Sequence, residues 1–311
     1  MKSTGLLIPT MQPCYFRSMM IAALLAIALG TMAQSSVKPQ PVPLPGSELR
    51  RFHSKIMDQD FLIYVQLPLD YVSDGSKQYP VMYMTDGNRV FPLVANMSTL
   101  LGFPPTGFPQ VIVVGIAYDI KDMFQWAAWR TRDLTPTVNT GDEHYWEGLL
   151  RRMTGDTTLR VETGGGPRFL SFICDELVPF IESEYQVSDQ GRALAGYSYG
   201  GLFTLFAMFE RPEVFQRYFA GSPSITYGNR ELFEMEKTFN QNHTDLHARL
   251  YLSIGGLEDQ NWIAGLNEMA NILESRNYPN LDVRTQVFEG EWHGSAGPAS
   301  IMRAFINLYG E

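Results

Sequence analysis

The segment Gly196-Tyr197-Ser198-Tyr199-Gly200-Gly201 restricts this chain more than any other. It lies between a short apolar run at 192–195 and the helix-forming stretch GLFTLFAMF, so the backbone must turn sharply from strand to helix at Ser198. Residues with a Cβ do not fit beside so tight a turn, which accounts for glycine at 196 and 200. The turn lifts a hydroxyl out of a sheet and aims the first N–H groups of the next helix at developing negative charge. A bare G-x-S-x-G also arises by chance, and the alternative is an ordinary serine at a strand–helix turn. The flanking strand and helix are the context that favours a nucleophile.

Around this turn the pattern alternates between strand and helix. Residues 60–68, 79–85, 110–118, 192–195, 217–220, 249–254 and 283–288 read as strands, several apolar throughout, as strands buried on both faces are. Helical spacing appears at 169–185, with apolar residues at 169, 170, 173, 177, 180 and 181, then over 200–210 and over 298–309. This order implies a mostly parallel central sheet with helices on both faces, the α/β-hydrolase fold, in a single domain over 48–311. Prolines 39, 41, 43 and 45 make 34–47 an extended linker. One stretch, about 119–166, breaks the rhythm and holds Trp126, Trp129 and Trp146. It reads as an inserted loop, serving either as a lid over a substrate or as packing across the sheet edge.

The chain has 311 residues, 45% hydrophobic and 18% charged, enough for one large core. A net charge of −9 with no Lys/Arg-rich run argues against a nucleic-acid partner. Residues 1–33 resemble an export signal: Arg17, an apolar run at 19–30, then Thr31-Met32-Ala33. That run is shorter than the ~20 residues a membrane span needs, so cleavage, leaving no stable span, is favoured over an anchor. Met11 is an alternative start. The expected location is periplasmic or secreted. Cys14 leaves with the signal, and Cys174, in an apolar helical stretch, reads as a core residue.

A serine hydroxyl needs a base, itself oriented by a third group. In this fold the acid follows a late strand and the histidine follows the last one. Of His243, His247 and His293, only His293, in Glu289-Gly290-Glu291-Trp292-His293-Gly294, lies between the last strand and the last helix. His243 and His247 are four apart but stand in a polar stretch without an H-E-x-x-H glutamate, so no metal is expected. For the acid, Ser253-Ile254-Gly255-Gly256-Leu257-Glu258-Asp259 offers Glu258, the first choice, and Asp259, which also suits a helix N-cap. The two oxyanion donors expected are the N–H of Tyr199 and that of Asn88, after Asp86-Gly87.

At these residues the chain resembles the bacterial α/β-hydrolases related to siderophore trilactone esterases. The resemblance covers about 48–311 and rests jointly on five segments: YPVMYMTDG (79–87), RTRDLTPT (130–137), GGGPRFLSFICDELVPFIESEY (164–185), ALAGYSYGGLFTLFAMFERPEVFQRYFAGSPS (193–224) and GEWHGS (290–295). The group is also similar to feruloyl and acetyl-xylan esterases and to mycolyltransferases. The resemblance implies ester hydrolysis without metal or organic cofactor, and supports Ser198, His293, Glu258 and Asn88 in the roles above. The chain departs from the pattern at Ile225-Thr226-Tyr227, where relatives often carry tryptophan beside the acyl pocket.

The expected activity is hydrolysis of a small-molecule carboxylic ester through an acyl-enzyme, on a siderophore ester first and a feruloyl or acetyl carbohydrate ester second. An acyltransferase and a non-catalytic binding protein of the same fold are the other readings. Arg130 and Arg132 are expected either to meet an anionic aromatic ligand or to pair with Asp133.

Overall fold

The computed structural model describes residues 40–103, 106–189 and 191–310. The signal-like segment 1–33 and the first part of the proline-rich linker lie outside the described residues. The chain divides after Pro43: residues 40–43 have no regular structure, and the unit from Leu44 onward holds every element named below.

Eight strands form one sheet: β1 (Ser47–Ser54), β2 (Gln59–Gln66), β3 (Val81–Met84), β4 (Ile112–Tyr118), β5 (Ala193–Tyr197), β6 (Arg217–Gly221), β7 (Ala248–Gly255) and β8 (Leu281–Phe288). Their spatial order is β1-β2-β4-β3-β5-β6-β7-β8, antiparallel at β1/β2 and β2/β4 and parallel across the rest. The helices are α1 (Gly87–Leu101), α2 (Met123–Asp133), α3 (Thr140–Thr154), α4 (Gly166–Phe172), α5 (Val178–Glu184), α6 (Tyr199–Glu210), α7 (Tyr227–Asn242), α8 (Gln260–Ser275) and α9 (Ala296–Tyr309).

The central strands are apolar on both faces, so both faces must be covered. Tyr83, Leu194, Tyr218 and Leu250 point into a core shared with α4, α5, α6, α7 and α8. Their neighbours Met82, Ala193, Phe219 and Tyr251 point the other way, into a core closed by α1 and α9. With both faces filled, the loops at the carboxyl ends of the parallel strands are the places left for chemistry.

Three local readings need correction. The stretch 119–166, expected as an inserted loop, folds into α2 and α3. Each has an N-cap: Asp122 accepts from Phe124 and Gln125 N–H at 2.9 Å, and Asn139 from Gly141 and Asp142 N–H at 3.0 and 3.2 Å. The apolar period is weak because α2 buries Arg130, Thr131 and Asp133, while α3 fully buries only Leu150. Secondly, β1 begins at Ser47, at the end of the expected linker. As an edge strand it is half exposed, and its alternation is faint. Thirdly, the helix expected over 169–185 is interrupted by a π turn at Ile173–Leu177. The wider turn comes just before Pro179, which has no N–H to give an α-helical ladder. Among the described residues no helix is long and apolar enough to cross a membrane.

Candidate active site

Ser198 occupies the turn between β5 and α6 with φ 63° and ψ −120°, a backbone state that costs a non-glycine residue about 1–3 kcal/mol. The surroundings leave no other path. A Cβ on Gly196 would lie 2.2 Å from the Gly200 carbonyl oxygen, and one on Gly200 would lie 2.4 Å from Thr85 Oγ1. Ser198 N–H is bound to Gly221 O at 2.8 Å, which ties the turn to the end of β6. The hydroxyl does not cap α6, so it is left free for other work.

Beyond β7 and β8, Glu258 and His293 meet: the imidazole Nδ1 and Glu258 Oε2 are 2.6 Å apart. The second carboxylate oxygen, Oε1, accepts from Ser222 Oγ at 2.6 Å and from Gly255 N–H at 2.8 Å. Tyr197 and Ser222 hydroxyls are 2.7 Å apart, and Tyr197 Oη donates to His293 O at 2.8 Å. Tyr197, the residue before the nucleophile, therefore holds the histidine main chain, while its oxygen lies against the Ser222 hydroxyl that donates to the acid. Among the described residues the His293 ring has this one hydrogen bond, and none joins it to Ser198 Oγ. Of the two carboxylates left open by the sequence, Glu258 takes the histidine. Asp259 instead caps α8, accepting from Asn261 N–H at 2.8 Å.

Burial pushes the Glu258 carboxyl up, but the bonds from His293, Ser222 and Gly255 N–H together outweigh it and leave it below the ordinary glutamate value.

The N–H groups of Tyr199 and Asn88 both open a helix. The first amides of α6 and α1 precede any intrahelical donor: the ladders start with Leu202 on Ser198 O, and with Arg89 and Val90 on Asp86 O. Gly87 lets α1 approach β4 closely, since a Cβ there would lie 2.9 Å from Gly115 and Ile116 backbone atoms. The Asn88 side chain is spent on structure, donating to Tyr118 O at 2.9 Å and accepting from Tyr118 N–H at 2.8 Å. The two arginines of α2 are not free to meet a ligand. Arg132 pairs with Asp133 at 2.6 Å, whereas Arg130 pairs with Asp86, at 2.7 and 2.8 Å.

A cavity of about 620 Å³ is lined by Thr226, Asn229, Arg230, Asp259 and Trp262 among others, and not by Ser198, Glu258 or His293. Trp262 meets the His293 ring edge-to-face with centroids 5.6 Å apart. Gly228, Asn229 and Arg230 run left-handed in succession (φ 57°, 55° and 69°) along this wall. Thr226 borders the cavity, but Ile225, in the loop expected beside an acyl pocket, is fully buried. Away from the site, His243 ends α7 and stacks on Phe239 with centroids 4.1 Å apart. Cys174 is buried, and burial pushes its thiol up to about 12.

The lowered Glu258 value gives a stability test. A carboxyl whose folded pKa is depressed contributes fully above its unfolded value and loses that contribution as pH falls through the folded one. The thermal midpoint of the native protein should exceed that of Glu258→Gln by a constant amount above pH ~5. The gap should narrow as pH drops below the ordinary 4.5. A gap that widens on acidification would contradict the hydrogen-bond account.

The family model described as "Putative esterase" matches residues 54–155 and 156–296. Ferri-bacillibactin esterase BesA of Bacillus subtilis (strain 168) is 29% identical over 272 residues, 84% of this chain and 89% of that protein. The crystal structure of the BES protein from Bacillus cereus is similar with a TM-score of 0.74 at 28% identity, covering 89% of this chain and 99% of that one. Siderophore hydrolase EstB from Aspergillus nidulans gives 0.68 at 26% identity, over 87% and 98%. With the sheet order, the turn at Ser198 and a family match over most of its length, the chain belongs to this esterase family and is a serine esterase of the α/β-hydrolase fold.

Proposed function

We propose that this esterase hydrolyses the ester bonds of a siderophore through an acyl-enzyme on Ser198. The observation that carries the assignment of roles is the 2.6 Å bond between Glu258 and His293, whose main chain Tyr197 anchors beside the serine. As substrate enters, the half-exposed imidazole and the Ser198 hydroxyl close to hydrogen-bond distance. His293 Nε2 takes the hydroxyl proton while Ser198 Oγ attacks the ester carbonyl. Glu258 holds Nδ1–H and stabilises the imidazolium. The carbonyl oxygen, now an anion, rests on the N–H groups of Tyr199 and Asn88. Collapse breaks the ester C–O bond, and His293 returns its proton to the departing alcohol. Water, activated by the same imidazole, then releases the acid and restores the serine. No step draws on a metal or organic cofactor.

The siderophore assignment is supported by two relatives whose names carry such substrates and whose similarity runs over most of the chain. It is also supported by the 620 Å³ cavity that shares Trp262 with the base, room for one arm of a bulky ester. The test is hydrolysis of trilactone siderophores, feruloyl esters and short acyl esters by the native protein and by Ser198→Ala. The trilactone should show the highest kcat/KM, and the variant should lose at least about 10³-fold in kcat. A clear preference for feruloyl or acetyl carbohydrate esters would give the substrate to that class. Rates indifferent to Ser198→Ala would remove the mechanism.

We also propose export, on the strength of the apolar run at 19–30 and the small residues that close it. Mass spectrometry of the protein recovered from a bacterial host should find a mature N-terminus near residue 34 in the periplasmic or secreted fraction. An intact N-terminus retained in the membrane fraction would contradict cleavage.

A further inference from the structure

The base proposed above stands on a loop that little else holds. Residues 289–295 join β8 to α9 without helix or strand. Gly290 lies in the left-handed region (φ 77°), and a Cβ on Gly290 or Gly294 would meet nothing within 4 Å, so packing does not fix the chain at either place. Among the described residues one hydrogen bond reaches the His293 main chain, from Tyr197 Oη to the carbonyl oxygen at 2.8 Å. The fold makes a place for this tyrosine. It ends β5, opposite Gly221 of β6, and a Cβ on Gly221 would lie 2.5 Å from Tyr197 Cδ2. The ring lies 5.3 Å from the imidazole, centroid to centroid. The protons can be counted. Ser222 Oγ, 2.7 Å from Tyr197 Oη, has one, and the Glu258 carboxylate takes it at 2.6 Å. Tyr197 keeps its own for the His293 carbonyl. Burial pushes this phenol above the usual tyrosine value, so the donor persists across the working pH range.

We infer that Tyr197 is a positioning residue for the base: its hydroxyl, by gripping the His293 carbonyl, ties the imidazole to the same β5–α6 turn that carries Ser198. The inference rests on the reading of Ser198 and His293 given above. An imidazole that must close on the nucleophile as substrate enters needs its main chain fixed. A backbone free to shift would carry the ring, and its bond to Glu258, out of line with the hydroxyl. Tyr197 precedes Ser198 by one residue, so base and nucleophile are held to one stretch of backbone. Tyr197 touches neither substrate nor reacting atoms in this account. Its loss should therefore weaken transition-state binding and leave ground-state binding alone.

Tyr197→Phe keeps the ring in its slot and removes one hydroxyl. The variant should fold, with kcat lower by about 5- to 10-fold, the factor that one neutral hydrogen bond supports, and KM within about twofold. The second-order rate at which a fluorophosphonate labels Ser198 should fall by the same factor. The far-downfield proton signal of His293 Nδ1–H, shared with Glu258, should broaden or move upfield. Tyr185→Phe removes a hydroxyl bonded to Arg50 and Glu48 of β1, at the opposite edge of the sheet from β8, and should leave all three readings native. Gly221→Ala presses a methyl on the Tyr197 ring and should give the same split between kcat and KM; it serves if Tyr197→Phe does not fold. Native kcat with an unmoved Nδ1–H signal in the folded variant would overturn the inference, as would a loss confined to KM. Ser198→Ala in the same assay separates the two levels. If that protein is inactive and Tyr197→Phe is native, only the role of Tyr197 fails; if Ser198→Ala stays active, the site reading fails with it.

Discussion

The turn at Ser198 is the constraint from which the rest of the site follows. A serine at φ 63° is held there because α6 packs so closely on β5 that the Gly200 carbonyl would collide with any side chain at Gly196. That packing is available because β5 lies in the middle of an eight-stranded sheet whose faces are both covered. A local cost of about 1–3 kcal/mol is spread over a core of fully buried rings, among them Tyr83, Phe203 and Tyr218. In return the hydroxyl, which caps no helix, has no hydrogen-bonding duty among the described residues.

The remaining groups reach the turn because parallel strands end at one edge. Asp86 follows β3, Ser222 follows β6, Glu258 follows β7 and His293 follows β8. What joins them is polar and largely buried. Glu258 Oε1 is shared by Ser222 and the Gly255 amide, leaving Oε2 for the imidazole. A buried carboxylate with every bond made is both tolerable and rigid. Tyr197 links this acid–base pair to the elbow, and Arg130 links the elbow to Asp86 and α1. The nucleophile thus lies between two polar networks, one around Glu258 and His293 and one around Arg130 and Asp86.

How much of this was legible depends on whether a residue's role is set by neighbours in sequence or in space. Ser198 was readable because its glycines and its flanking strand and helix are local. His293 was readable because one histidine alone falls between the last strand and the last helix. The choice between Glu258 and Asp259 was not, because it depends on the loop after Gly255 folding back so that Glu258 Oε1 meets the Gly255 amide. The helices of 123–154 escaped the hydrophobic period because α2 buries charge: Arg130 and Asp133 are inside, each paired. Arg130 was read against Asp133, its neighbour in sequence, whereas its partner is 44 positions away. Tyr197 and Ser222 carried no usable signal, since a tyrosine ending a strand and a serine after one are ordinary.

The central claim is that Ser198 delivers a tetrahedral oxyanion to the amides of Tyr199 and Asn88, with His293 alongside. The most direct measurement is a crystal structure of the protein after reaction with a fluorophosphonate, whose phosphorus adduct mimics that intermediate. The account predicts phosphorus bonded to Ser198 Oγ, its oxygen about 2.7–3.1 Å from both amide nitrogens, and the imidazole of His293 turned towards Oγ with Glu258 still on Nδ1. An adduct on another residue, or a phosphoryl oxygen directed away from both amides, would contradict it.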